Sequence, residues 1–223
     1  IGGSNVIAVR LVPKDLSSRW YPGAGIYRNV WLDVRNPVHV AQWGTFVSTP
    51  EITAEQAVIA IETTLNGEGD VSYEILSPSG MAVASAQAVA GKGRLTVANP
   101  QLWDLNTPNL YTLHTKVSVT GEVVDTVQTR FGIRTLDFSK SRGFFLNGRR
   151  LQINGVCLHH DNGPIGSAVN RRADQRKIKI LKQMGVNSIR TSHNMPSPEL
   201  LDLCDEMGIL VQDEAFDAWM EAK

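Results

Sequence analysis

The sequence predicts a mainly β chain with an α/β part, and three observations carry that expectation. Between Pro37 and Leu136, short alternating segments follow one another with turn residues between them. About seven such strands in about 100 residues are what an immunoglobulin-like β-sandwich requires. After Phe144 the apolar period lengthens to that of a helix, and strand, helix, strand, helix, strand follow in order. Polar residues then collect at the ends of all three later strands.

The first region, residues 1–35, contains Val6-Ile7-Ala8-Val9-Arg10-Leu11-Val12, whose alternation reads as a strand already under way. It closes at Arg35-Asn36-Pro37, because proline lacks the amide that a ladder needs. The second region, 36–136, is the sandwich. Its clearest strands are Val58 to Leu65, followed by the turn Asn66-Gly67, and Val71 to Ile75, ending at Ser77-Pro78-Ser79-Gly80. Tyr111 to Val119 and Val123 to Phe131 alternate again, on either side of Gly121. Without a cysteine pair, a fibronectin-type variant fits better than an antibody-type one.

The third region, 137–223, opens with Phe144 to Ile153 as a hairpin around Asn147-Gly148, a pair suited to positive φ at both central positions. A strand runs through Val156-Cys157-Leu158. The next helix is expected to turn Ile178, Leu181 and Met184 inward and to stop at Gly185. Asn187 to Arg190 is a strand. A second helix has Ser197 as N-cap, Pro198 at its first position, Leu200, Leu201, Cys204 and Met207 inward, and Gly208 as its stop. Ile209 to Asp213 is the last strand. This β-α-β-α-β order suits an α/β barrel or a doubly wound sheet.

Composition narrows the function classes. The 22 basic and 22 acidic residues cancel to a formal charge of zero, so no basic face implies a nucleic-acid partner. No apolar run approaches the roughly 20 residues of a membrane span. The start, Ile1-Gly2-Gly3-Ser4, lacks the charged and apolar parts of a signal peptide and does not resemble a natural beginning. Cys157 and Cys204 are too few for a disulfide scaffold and are expected as two buried free thiols. The compartment stays open.

The three polar clusters are His159-His160-Asp161, Arg190-Thr191-Ser192-His193 and Asp213-Glu214. In an α/β barrel such strand ends face one mouth, where active sites sit. Read blandly, they are loop polars and helix caps. Asp213 and Glu214 are no catalytic pair, since neighbours on a strand point to opposite faces. They are read as strand-end carboxylates that orient basic neighbours. On ligand type alone, His159, His160, Asp161 and His193 could hold a metal, but adjacent histidines on a strand diverge. No metal or other cofactor is expected.

Several motifs together resemble glycoside hydrolase family 2. Arg190-Thr191-Ser192-His193-Asn194 is similar to the family's Arg-Thr-Ser-His segment, and Gly155 to Asp161 resembles its first barrel strand. Trp20 to Trp31 resembles the end of its N-terminal jelly-roll domain. Asn99-Pro100-Gln101-Leu102-Trp103 and Thr107 to Tyr111 are similar to its sandwich, and Phe131-Gly132-Ile133-Arg134 to the junction into the barrel. The resemblance spans nearly the whole chain in the family's order. It implies the last strands of a jelly roll, a complete sandwich, and the first three strands of an incomplete (β/α)8 barrel.

By resemblance, the parent is a retaining β-glycosidase, with two carboxylates about 5–5.5 Å apart. The acid/base glutamate is expected after an asparagine at the end of the fourth strand and the nucleophile on the seventh. Both would lie beyond Lys223, so this chain would contribute no catalytic carboxylate and would be inactive alone. The resemblance places His159 and His193 against the sugar and Arg190 near the nucleophile. Asp161 is a candidate hydroxyl acceptor, His160 matches a variable position, and Trp219 is a candidate aromatic wall or a core residue. Ala218 and Met220 stand where metal-dependent relatives carry an acidic residue and a histidine, which argues against a magnesium site of that kind. Ser18-Arg19-Trp20-Tyr21 replaces a loop in which some members place an aspartate. The expected substrate is a terminal β-galactoside. A β-glucuronidase or β-mannosidase is the alternative within the family, and a non-catalytic carbohydrate- or protein-binding sandwich module the alternative outside it. Homo-oligomerisation stays open.

Overall fold

The computed structural model describes residues 3–12 and 25–215. Seven strands form the sandwich: β1 (His39–Ile52), β2 (Gln56–Asn66), β3 (Asp70–Leu76), β4 (Ala82–Gln87), β5 (Lys92–Ala98), β6 (Tyr111–Val119) and β7 (Glu122–Phe131). They divide into two antiparallel sheets, ordered β1-β2-β5 and β4-β3-β6-β7. Period-two alternation fills the space between them. Val71, Tyr73 and Ile75 of β3 face Ile59, Ile61, Leu95 and Val97 of the other sheet, with Tyr111 and Leu113 of β6 alongside. The polar ends of the two tyrosines are satisfied within the fold. The Tyr73 hydroxyl lies 2.9 Å from both Thr63 Oγ1 and the Gly91 carbonyl, and the Tyr111 hydroxyl accepts from the Gln101 amide at 2.8 Å.

A small antiparallel sheet follows: β8 (Leu136–Ser139), β9 (Gly143–Leu146) and β10 (Arg149–Arg150), in the order β10-β9-β8. Asn147 (φ 51°) and Gly148 (φ 73°) turn the second hairpin with positive φ, as that dipeptide predicts. Its return strand ends at Arg150, short of the expected Ile153. Next come β11 (Gly155–Leu158), α1 (Arg171–Gln183), β12 (Ser188–Thr191), α2 (Pro198–Met207) and β13 (Leu210–Gln212). The three strands are parallel and in chain order, which matches the start of a barrel. Both helices lie on one face of this sheet and bury Ile178, Ile189, Leu203, Cys204 and Ile209 against it.

Helix ends follow their residues. The side chains of Asn170 and Ser197 accept from the amides of Ala173 and Leu200, and Gly208 closes α2 in the left-handed conformation. Two inward assignments need correction. Met184 is exposed, at 71%, because two three-residue steps rotate a side chain about 120° away from Ile178. Leu203, fully buried, takes the central place in α2 where Leu201 was expected.

Residues 3–12 and 25–38 carry no strand. Val6 and Ile7 are 86% exposed. Alternation assigns faces to a strand, but a ladder also needs a partner, and none pairs with this segment among the described residues.

Sandwich and parallel sheet meet at a built joint. Trp103, 1% exposed, donates from its indole nitrogen to the Asp205 carbonyl at 2.8 Å, under the guanidinium of Arg134. Trp103, Leu105, Phe144 and Leu146 form a core of their own, joined by Leu210. Lys182 Nζ donates to the Leu105 carbonyl at 2.8 Å and to those of Met207 and Gly208 at the end of α2. Arg130 of β7 pairs with Asp202 and Glu206 of α2, and Glu206 also meets Arg171 of α1.

Gly208 tests this joint. A Cβ there would stand 2.2 Å from the Leu105 carbonyl oxygen, whereas one at Gly185, also at positive φ, would meet nothing within 4 Å. Gly185→Ala should therefore cost only the left-handed penalty of about 1–2 kcal/mol. Gly208→Ala should lower the thermal midpoint clearly further in a circular-dichroism melt. Equal losses would mean that α2 does not seat against the sandwich as described.

Candidate functional site at the ends of the parallel strands

Pleating divides the three parallel strands into two sets of side chains. Val156, Leu158, Ile189 and Val211 point toward the helices. Cys157, Arg190 and Gln212 are paired in register across the sheet and belong to the other face. Arg190 aims at that face's upper edge. Its Nε donates to Glu214 Oε1 at 2.7 Å, its Nη2 lies 2.6 Å from the same oxygen, and its Nη1 is 3.5 Å from Cys157 Sγ. Thr191 organises the neighbouring strand end. Its hydroxyl accepts from the Glu214 amide at 3.0 Å and lies 3.4 Å from Asp213 Oδ1. Asp213 and Glu214 thus diverge and serve different partners: Glu214 meets the basic Arg190, whereas Asp213 faces the Thr191 hydroxyl.

His159 and His193 come together, with ring centroids 6.2 Å apart. His159 Nδ1 is 2.6 Å from the Ser192 carbonyl, which can only accept, so Nδ1 is the donor. The Ser192–His193 peptide is cis. Asp161 uses Oδ1 to accept from the Gly163 amide at 2.7 Å, and its carbonyl receives Lys177 Nζ at 2.8 Å. At least one of its oxygens therefore secures the turn after β11. His160 lies against Tyr27, with ring centroids 5.5 Å apart, in a cavity of about 40 Å³ that Asp174, Lys177 and Leu200 also line. His159 and Asp161 line the same cavity.

One expectation about the cysteines is overturned. Cys204 is buried, but Cys157 is exposed, because among the described residues no helix packs on its face of the sheet. Their acidities diverge accordingly. Burial pushes the Cys204 thiol up to about 12. The Ser192 hydroxyl, and then the Arg190 guanidinium, hold Cys157 below the usual thiol range.

Among the described residues, no group of three or more His, Cys, Asp or Glu side chains could hold a metal ion. Trp219, Ala218 and Met220, and the segment Ser18-Arg19-Trp20-Tyr21, lie outside the described residues. Sequence reasoning gave no role to Tyr27, Arg28, Ser192 or Asn194, which the structure gathers around the histidine loop. The signal for two of them was present, since Tyr27 and Arg28 lie inside the Trp20 to Trp31 motif.

Residues 38–134 match the family described as glycosyl hydrolases family 2, and residues 139–218 match the TIM barrel domain of the same family. The β-galactosidase BoGH2A of Bacteroides ovatus is 50% identical over 98% of this chain and 28% of its own length. A putative β-glucuronidase of Formosa agariphila is 38% identical over 97% of the chain and 22% of its own. Among solved structures, a glycosyl hydrolase family 2 member from Bacteroides cellulosilyticus superposes with a TM-score of 0.87 at 38% identity, covering 93% of this chain and 31% of that one. A β-glucuronidase from Ruminococcus gnavus reaches 0.74 at 28% identity, covering 80% and 30%. The chain thus spans about a quarter of the length of these curated relatives.

The two thiols should report the two faces of the parallel sheet. Iodoacetamide should alkylate Cys157 in the native chain and reach Cys204 only after unfolding, as followed by peptide mass spectrometry. Arg190→Gln should slow Cys157 alkylation at neutral pH, because its thiol then rises and less thiolate is present. Equal native labelling of both thiols would contradict the face assignment.

Proposed function

Because this chain belongs to glycoside hydrolase family 2, we propose that it is the central segment of a retaining β-galactosidase that hydrolyses terminal β-galactosides. The observation that carries this reading is the 50% identity to a β-galactosidase across nearly the whole chain. The chemistry at the strand ends supports it. A galactoside is neutral and offers hydroxyls, which imidazoles can bind as donors or acceptors. Among the described residues Arg190 lies on this face, paired with Glu214. The β-glucuronidase relatives carry the second reading, at lower identity.

In the proposed mechanism this segment binds and orients, while the carboxylate pair comes from later barrel strands beyond Lys223. One carboxylate attacks the anomeric carbon as the other protonates the departing oxygen; water then releases the sugar. His159 and His193 hold sugar hydroxyls, and their bonds strengthen as oxocarbenium charge develops on the ring. Arg190, aimed by Glu214, presents positive charge that keeps a neighbouring carboxylate ionised. Asp161 acts as a hydroxyl acceptor through whatever capacity its turn leaves.

The chain alone should not hydrolyse any aryl β-glycoside above background, since binding substrate and transition state equally gives no acceleration. In the complete enzyme, His159→Ala and His193→Ala should each lower kcat/KM for an aryl β-galactoside by about 10²-fold, and His160→Ala by much less. Turnover by the isolated chain would refute the placement of the carboxylates. Wild-type kcat/KM in both histidine variants would refute the site.

A further inference from the structure

Residues 192–196, which carry His193, have few backbone ties of their own. The Ser192 amide donates to the Leu158 carbonyl at 3.1 Å and the Asn194 amide to that of Thr191 at 3.3 Å. Beyond Asn194 the loop is held from far away in sequence. Arg28 Nη1 donates to the Pro196 carbonyl at 3.2 Å, and Arg28 Nη2 donates to the Met195 carbonyl. The Met195 carbonyl also accepts from Asn194 Nδ2 at 2.8 Å, so one oxygen links Arg28 to the residue after His193.

The segment that delivers Arg28 is itself anchored on both sides. Asn29 Nδ2 donates to Glu199 Oε1 in the first turn of α2 at 2.9 Å. The Tyr27 carbonyl receives the Val169 amide, just before α1, at 3.4 Å. The Tyr27 ring meets His160, the neighbour of His159. Residues 27–29 therefore lie across the loops that follow β11 and β12 and touch both histidine-bearing turns.

We propose that Arg28 is a positioning residue that fixes the His193 loop from outside the barrel segment, so that the segment preceding the sandwich shapes the sugar site without touching the sugar. The inference rests on the galactosidase reading for its catalytic consequence, but not for the clamp itself. A guanidinium suits the task because its planar fork can donate to two successive carbonyls, which an ammonium cannot reproduce in the same geometry. Fixing the loop matters because a transition-state hydrogen bond is lost when its donor drifts by even about 1 Å.

Two measurements separate the clamp from its consequence. In the chain itself, Arg28→Gln should accelerate amide exchange at Ser192 and Asn194 by about 10-fold or more, while Ile59 and Leu113 in the sandwich stay unchanged. Unchanged exchange at Ser192 and Asn194 overturns the clamp. In the complete enzyme, Arg28→Gln should lower kcat/KM for an aryl β-galactoside by about 10-fold. Added to His193→Ala, it should cost less than about 2-fold more, because the two residues act through one interaction. Arg28→Lys should do no better than Arg28→Gln. An equal loss in both backgrounds overturns the positioning role and leaves Arg28 a merely structural tie. If exchange rises while His193→Ala proves harmless, the clamp stands and the sugar-site reading falls.

Discussion

The architecture depends on how the C-terminal end of α2 is closed. A helix leaves its last carbonyls without intrahelical donors, and burying them unpaired is costly. Here the sandwich supplies part of the answer. Trp103 donates to the Asp205 carbonyl, while Lys182 from α1 gathers those of Met207 and Gly208 together with the sandwich's own Leu105 carbonyl. A cation at a helix C-terminus also opposes the dipole's negative end. Lys182 therefore ties α1, α2 and the sandwich at a single atom. Its partial burial pushes its pKa down, since desolvation disfavours the charged form. With α2 seated, β13 follows directly, and with it Glu214 at the site.

The same period of two that builds the sandwich also separates chemistry from packing in the parallel sheet. Val156, Ile189 and Val211 serve the helix-facing core, and the intervening Cys157, Arg190 and Gln212 face the other way. Thr191 sits on the packing side, yet its hydroxyl sets the neighbouring strand end through the Glu214 amide. The site's polar residues therefore need no loop of great length. Strands of three or four residues carry them to one edge.

Much of this was legible in the sequence, for local reasons. Tyr111 to Val119 alternates so strictly that the expected and observed strands coincide, and Ser197 with Gly208 marks both ends of α2. What escaped depends on partners distant in the chain. Helical spacing alone put Met184 inward and left out Leu203, because drift along a helix accumulates while a fixed step pattern does not. Cys157 was expected in a core because cysteine usually is buried, but burial depends on what covers the sheet. The Trp103 and Phe131 to Arg134 motifs were visible as family landmarks, and only contacts reveal that they pack together and meet α2 through Trp103. Within the site, the pairing of Arg190 with Glu214 joins two strand-end clusters that the sequence presents separately. The reach of Arg28 across 168 positions to Pro196 leaves no periodic trace.

The close approach of Gly208 to the Leu105 carbonyl has a consequence for recombination between relatives. Two protein units joined by a linker can be exchanged independently, since neither shape constrains the other. Here one unit's backbone occupies the space that a side chain on the other would need. A barrel segment with any side chain at position 208 would collide with this sandwich's Leu105 carbonyl, so position 208 and the loop around Leu105 have to be exchanged together.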